Sequence, residues 1–207
     1  MMIGDVLSAA PVMPVIVLER AADAVPLARA LLAGGLKVLE VTLRSDAALP
    51  GIGAIAREVP DAIVGAGTVL SPADLAAARD AGAHFAVSPG ASATLLESGR
   101  DCGLPFLPGV MTPSEVLAAV AAGYHRLKFF PAAQAGGVDM LKALAGPFPQ
   151  VKFCPTGGIS LANAAEFLAL PNVCCVGGSW IAPAASIRAG DWASITRLAL
   201  QAHRLRA

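Results

Sequence analysis

The chain is poor in charge of either sign. Fifteen Lys and Arg balance fifteen Asp and Glu over 207 residues, and charged residues make up only 14%. A neutral chain has no global field to gather nucleic acid or an acidic membrane surface. Signatures of metal and redox chemistry are equally scarce. The three histidines, His84, His125 and His203, lie far apart with no HxxxH spacing, and Cys102, Cys154, Cys174 and Cys175 form no CxxC pair. A zinc or thiol-redox site would show such spacings, so no metal ion or other cofactor is implied. Cys154, Cys174 and Cys175 stand in apolar runs and read as buried, reduced thiols. No GxGxxG follows the first β-like run, which argues against a dinucleotide site.

Unbroken membrane-length apolar segments are also missing. The longest uncharged stretch, Phe167 to Ile187, could span a bilayer on length alone. Pro171, Asn172, Gly177, Gly178 and Pro183 divide it into separate elements. The run Val6 to Leu18 is broken by Pro11 and Pro14 and preceded by Asp5 rather than a basic residue, which makes it a poor signal peptide. These features describe a soluble, cytoplasmic protein.

What the chain does have is apolar mass and punctuation: 56% hydrophobic residues, 21 Gly and 16 Pro. That composition excludes disorder. Short apolar, β-branched runs alternate with Ala/Leu-rich stretches of helical period. The runs are Val12–Leu18, Lys37–Leu43, Ala62–Ala66, His84–Ser88, Pro105–Leu107, Arg126–Phe130, Val151–Cys154 and Val173–Val176. Their spacing of about 20–25 residues is one βα unit. Ser71-Pro72 and Thr112-Pro113 each place a capping hydroxyl before a proline at the first helical position. Gly34-Gly35, Gly82 and Gly123 mark helix ends. A doubly wound sheet could alternate in this way. Eight near-even units predict instead an α/β fold in which residues 1–207 form a single-domain (β/α)8 TIM barrel.

In a barrel, chemistry sits at the C-terminal ends of the strands, and phosphate commonly binds after strands seven and eight. The second run carries Glu40, Thr42 and Arg44 in alternation with apolar residues, so all three face one way. Polar groups on a buried strand are costly unless paired. An internal Glu40–Arg44 ion pair is one reading; an acid/base carboxylate beside a carboxylate clamp is the other. The chain has only four lysines, Lys37, Lys128, Lys142 and Lys152. Lys128 lies late in an apolar run, as Arg126-Leu127-Lys128-Phe129-Phe130-Pro131. It is either a snorkelling side chain or an amine for attack on a ketone. Burial disfavours the ammonium form, whereas a neighbouring carboxylate favours it. Lys152 is the rival, but it begins its strand. Paired glycines, Gly157-Gly158 and Gly177-Gly178, follow the last two strands and allow backbone N–H groups to approach an anion. Thr68 and Pro89 end strands three and four and either line a pocket or make turns.

Six ordered segments, from Glu40-Val41-Thr42-Leu43-Arg44 to Gly177-Gly178-Ser179-Trp180, carry a family resemblance. Between them stand Gly65-Ala66-Gly67-Thr68-Val69-Leu70, Ser88-Pro89-Gly90, Lys128-Phe129-Phe130-Pro131-Ala132 and Phe153-Cys154-Pro155-Thr156-Gly157-Gly158-Ile159. Together they resemble the 2-keto-3-deoxy-6-phosphogluconate (KDPG)/4-hydroxy-2-oxoglutarate aldolase family over nearly the whole chain. The resemblance implies a cofactor-independent class I aldolase acting on a phosphorylated keto acid. It puts the Schiff-base lysine at Lys128 and the acid/base glutamate at Glu40. Arg44 and Thr68 would hold the pyruvyl carboxylate, Pro89 and Phe130 would line the site, and Thr156 would meet the substrate through its hydroxyl. Gly157, Gly158, Gly178 and Ser179 would hold phosphate. It further implies a homotrimer with no nucleic-acid or membrane partner. The related phosphogalactonate aldolases tend to carry Glu-Ile-Pro-Leu-Asn where this chain has Glu-Val-Thr-Leu-Arg. A non-catalytic phospho-sugar binding barrel is the alternative of another class, and it would have no need of Glu40 and Lys128.

Overall fold

The computed structural model describes residues 1–206. Among them the chain forms parallel strands alternating with helices. The strands are β1 (Val12–Ile16), β2 (Val38–Thr42), β3 (Ile63–Gly67), β4 (Phe85–Val87), β5 (Phe106–Leu107), β6 (Gly109–Val110), β7 (Arg126–Phe129), β8 (Lys152–Pro155) and β9 (Val176–Gly178). They pair in a six-stranded sheet of order β5-β4-β3-β2-β1-β9 and a three-stranded sheet of order β6-β7-β8. Among the described residues these pairings are all parallel, and two isolated bridges, Phe153↔Val173 and Thr156↔Gly177, connect β8 to the segment around β9.

Two strand expectations shift. The fifth run extends past Leu107 and is split into β5 and β6 at Pro108, which has no N–H for a ladder. The eighth strand lies at Val176–Gly178, not Val173–Val176; the Val173 end contributes a single bridge to Phe153. One helix had no sequence counterpart: α1 (Ile3–Ser8), whose Val6 and Leu7 are buried.

The remaining helices are α2 (Ala24–Ala33), α3 (Ala48–Glu58), α4 (Pro72–Asp80), α5 (Ala93–Asp101), α6 (Pro113–Ala121), α7 (Gly137–Ala145), α8 (Ala164–Leu168), α9 (Ala184–Ala189) and α10 (Trp192–His203). The caps fall where the sequence puts them. Ser71 accepts from the Asp74 N–H and Thr112 from the Glu115 N–H, and each acidic side chain returns the bond to its cap residue. Gly35, Gly82 and Gly123, just past helices α2, α4 and α6, have φ of +87°, +89° and +92°, where a side chain would be strained.

Strand periodicity divides the core. On β2, Leu39 and Val41 join the large cluster that also takes in helical residues such as Leu27, Leu31, Ile52 and Ile55. Their neighbour Val38 belongs to a second cluster with Val6, Leu7, Met13, Phe85, Val87, Leu107, Cys154 and Cys175. Residues one apart on a strand face opposite ways, so this second cluster is the strand face turned away from the outer helices, with α1 packed into it. Glu40 and Thr42 continue the Val38 face along β2. Each fully buried Leu or Val contributes about 1.5–3 kcal/mol relative to exposure. That apolar frame is what can hold a few buried polar groups in place.

Candidate active site

The centre of the site is an ion pair. Lys128 Nζ lies 3.0 Å from Glu40 Oε1, and the two side chains are 5% and 2% exposed. Lys128 stands between Leu127 and Phe129, both wholly buried in the outer cluster, so its own side chain points to the opposite face. Glu40 reaches that space from β2 in the other sheet. The pair therefore joins the two sheets across 88 residues of sequence. The ion-pair partner of Glu40 is Lys128 and not Arg44, so an internal Glu40–Arg44 pair is not formed. The Phe130 ring lies 5.4 Å from Nζ and gives the ammonium an aromatic face.

Two glycines make room for this arrangement. A Cβ on Gly67 would run into the Glu40 carboxylate, and a Cβ on Gly177 would run into the Thr156 side chain. Both functional side chains need the space that these residues leave open.

A cavity of about 160 Å³ opens beside Nζ. It is lined by Val15, Arg44, Lys128, Phe130, Thr156, Gly157, Gly158, Ile159, Gly177, Gly178 and Ser179. The structure thus brings together around one cavity eight of the residues to which the resemblance gave a role, with Glu40 paired to Lys128. Arg44 is exposed, and its Nε donates to Thr68 Oγ1 at 3.0 Å. Thr68 has φ of +57°, unusual for a β-branched residue. It meets the site through Arg44 and does not itself line the cavity. Pro89 does not line it either; its backbone packs against Gly109, where a Cβ would collide with it. Thr156 is buried, and its hydroxyl makes long contacts with Cys154, 3.4 Å to the carbonyl and 4.0 Å to the thiol sulfur.

The other lysines are elsewhere. Lys37 and Lys142 are exposed, and Lys152 Nζ donates to the Pro171 carbonyl at 2.7 Å from the start of β8. Val15 and Ile159 are cavity residues to which sequence reasoning gave no role. The signal for Val15 was the register: it pairs with Glu40 across β1 and β2. Among the described residues no group of three or more His, Cys, Asp or Glu is gathered as a metal would require, and no helix is long and apolar enough to cross a membrane.

Chemically, the site offers a buried amine, a carboxylate within proton-transfer distance, an exposed guanidinium and a glycine-rich rim. The family model of the KDPG and KHG aldolases matches residues 3–198. The chain belongs to that aldolase family. It is 55% identical over 198 residues to a 2-dehydro-3-deoxy-phosphogluconate aldolase of Pseudoalteromonas atlantica, covering 96% of this chain and 92% of that one. It is 53% identical to the KHG/KDPG aldolase of Escherichia coli K12, with 96% and 93% covered. Among solved structures, a KDPG aldolase from Legionella pneumophila superposes with a TM-score of 0.96 at 49% identity, covering 98% of both chains. That crystal structure holds pyruvate captured as a covalent carbinolamine intermediate. A carbinolamine is the adduct of an amine with a ketone, and Lys128 is this aldolase's lysine inside the cavity.

Proposed function

We propose that the chain is a class I aldolase that cleaves 2-keto-3-deoxy-6-phosphogluconate to pyruvate and glyceraldehyde 3-phosphate, with 4-hydroxy-2-oxoglutarate as a side substrate. The observation that carries this reading is the buried Lys128 amine, 3.0 Å from Glu40 and open to a cavity with a glycine-rich rim. Proton transfer from the ammonium to the carboxylate leaves an amine able to attack the C2 ketone. Glu40 returns that proton to the carbinolamine hydroxyl, which leaves as water and gives an iminium; the carboxylate is restored, and the iminium draws the electron pair of the breaking C3–C4 bond. Glu40, directly or through a water, takes the proton from the C4 hydroxyl as that carbon becomes an aldehyde. The resulting enamine is protonated at C3, and hydrolysis of the iminium releases pyruvate.

Arg44, steadied by Thr68, is assigned the substrate carboxylate, which a guanidinium can hold through two hydrogen bonds. Phe130 covers the amine from one side, and Thr156 offers its hydroxyl to the substrate. Gly157, Gly158, Gly178 and Ser179 are assigned the phosphate. The Glu-Val-Thr-Leu-Arg of β2 favours the gluconate over the galactonate epimer. Both Lys128 and Glu40 are present and paired, which favours an enzyme over a phospho-sugar binding protein.

The wider reading is a single domain in which the two parallel sheets close into one (β/α)8 barrel. The bridges between β8 and the β9 segment and the direct succession of β5 and β6 support closure. A homotrimer in the cytoplasm completes it, and the exposed Leu70, Met111 and Leu117 supply apolar surface for such an assembly.

Reduction with borohydride in the presence of pyruvate, followed by peptide mass mapping, tests the mechanism. A stable adduct on Lys128 alone is the expected outcome. No adduct, or one on Lys152, overturns the assignment.

A further inference from the structure

Two successive peptide planes in the glycine-rich rim are pinned by their carbonyls, each in a different way. The Gly157 carbonyl accepts from the Ala133 N–H at 3.0 Å. The Gly158 carbonyl accepts from the side chain of Asn163, whose Nδ2 lies 3.1 Å away. The same Asn163 amide uses its Oδ1 to accept from the Ser160 N–H at 2.8 Å, with the Ser160 hydroxyl at 3.5 Å. One side chain thus holds both ends of the Gly158–Ser160 segment.

This matters because Gly157 and Gly158 have φ of +100° and +72°, in a region where glycine backbone is loose. A peptide is planar and trans, so holding its C=O in one direction holds the N–H of the same plane in the opposite one. Pinning the Gly157 carbonyl fixes the N–H of Gly158; pinning the Gly158 carbonyl fixes the N–H of Ile159. The first plane rests on backbone and the second on a side chain that a mutation can remove. Gly157, Gly158 and Ile159 all line the cavity.

We propose that Asn163 is a positioning residue that sets the affinity for the phosphate end of the substrate, without touching the substrate or the chemistry at Lys128. This rests on the aldolase reading above. It separates two halves of one site: the pyruvyl half around Lys128, Glu40 and Arg44, and the phosphate half whose backbone donors Asn163 keeps in line.

The test compares a phosphorylated and an unphosphorylated substrate. Asn163→Ala removes two hydrogen bonds of the neutral kind, so KM for KDPG is expected to rise by about 30-fold. Its kcat stays within about two-fold, and kcat/KM for 4-hydroxy-2-oxoglutarate, which has no phosphate, is unchanged, since misplaced donors cost only ground- and transition-state binding alike. Asn163→Asp keeps the acceptor for Ser160 and loses the donor to Gly158; it should show the same selective loss. Borohydride trapping of pyruvate on Lys128 should match the wild type in both variants. An unchanged KM for KDPG overturns the proposal. So does an equal loss on both substrates, or a loss of pyruvate trapping in both variants, because either marks Asn163 as merely structural. Failure of the wild-type enzyme to cleave KDPG at all is a different result and overturns the aldolase reading itself.

Discussion

Lys128→Met removes the proposed nucleophile, and the structure predicts a second effect that activity assays would miss. The substitution leaves Glu40, 2% exposed, with its ion-pair partner replaced by a thioether of similar length. Breaking a buried pair by deleting one member costs about 3–5 kcal/mol, because the remaining charge has lost both water and partner. For a chain of this size one kcal/mol corresponds to roughly 2–4 °C in Tm, so the melting temperature at neutral pH should fall by about 6–20 °C. The companion double variant, Lys128→Met with Glu40→Gln, removes the orphaned charge as well. It should recover most of the loss while remaining inactive, and the double-mutant cycle should give a coupling of several kcal/mol. Calorimetry and urea unfolding of the four proteins supply the cycle, with borohydride trapping as the control for amine chemistry. A Lys128→Met protein as stable as wild type, with no gain from the second substitution, would refute the argument. It would mean that the carboxylate finds water or another donor, and that the 3.0 Å pair is not what holds it.

Two further perturbations act at a distance from the amine. Gly67→Ala should reduce kcat by on the order of 100-fold, because its Cβ would occupy the space of the Glu40 carboxylate and a displacement near 1 Å has that cost; a variant with kcat within two-fold of wild type would contradict it. Glu115→Gln tests the cap of α6. Burial alone pushes the Glu115 carboxyl up, but hydrogen bonds from Met111 and Thr112 outweigh it and leave the carboxyl below its ordinary value of 4.5. A depressed value means that the stabilisation is present above the unfolded pKa and is lost as pH falls through the folded one. The side chain is exposed, so about 0.5–1 kcal/mol is the expected gap between wild type and variant at pH 7 in urea unfolding. The gap should close toward pH 3, and one that stays constant would refute it.

Much of this was legible in the chain because strand alternation is a strong local code. Glu40, Thr42 and Arg44 share a parity, and Lys128 has the opposite parity to Leu127 and Phe129, so the inward-facing set could be read without coordinates. Proline and glycine wrote the helix boundaries with similar clarity at Ser71-Pro72, Thr112-Pro113, Gly82 and Gly123. The unread parts depend on partners distant in sequence. Whether Glu40 faces Arg44 or Lys128 depends on how the sheets oppose each other. Val15 enters the cavity through the register of β1 on β2. Helix α1 was hidden because its six residues include no amphipathic repeat long enough to show, and its burial comes from packing into an interior that exists only once the strands are assembled.

The same dependence gives the site its mechanical logic. The amine comes from the three-stranded sheet, the carboxylate and the guanidinium from the six-stranded one, and the glycine-rich rim from the ends of β8 and β9. Neither sheet carries the chemistry alone, so the 3.0 Å contact reports directly on their relative placement. Large apolar side chains on the outer face fix that placement: Leu39 and Val41 bracket Glu40, and Leu127 and Phe129 bracket Lys128. A truncation at any of the four leaves a cavity costing about 2–5 kcal/mol. It also lets one sheet shift against the other, which would lengthen the pair. Truncating any of these four outer-facing residues should therefore cost stability and activity together. Loss of activity there without loss of stability would mean that the pair is held by something other than the strands that carry it.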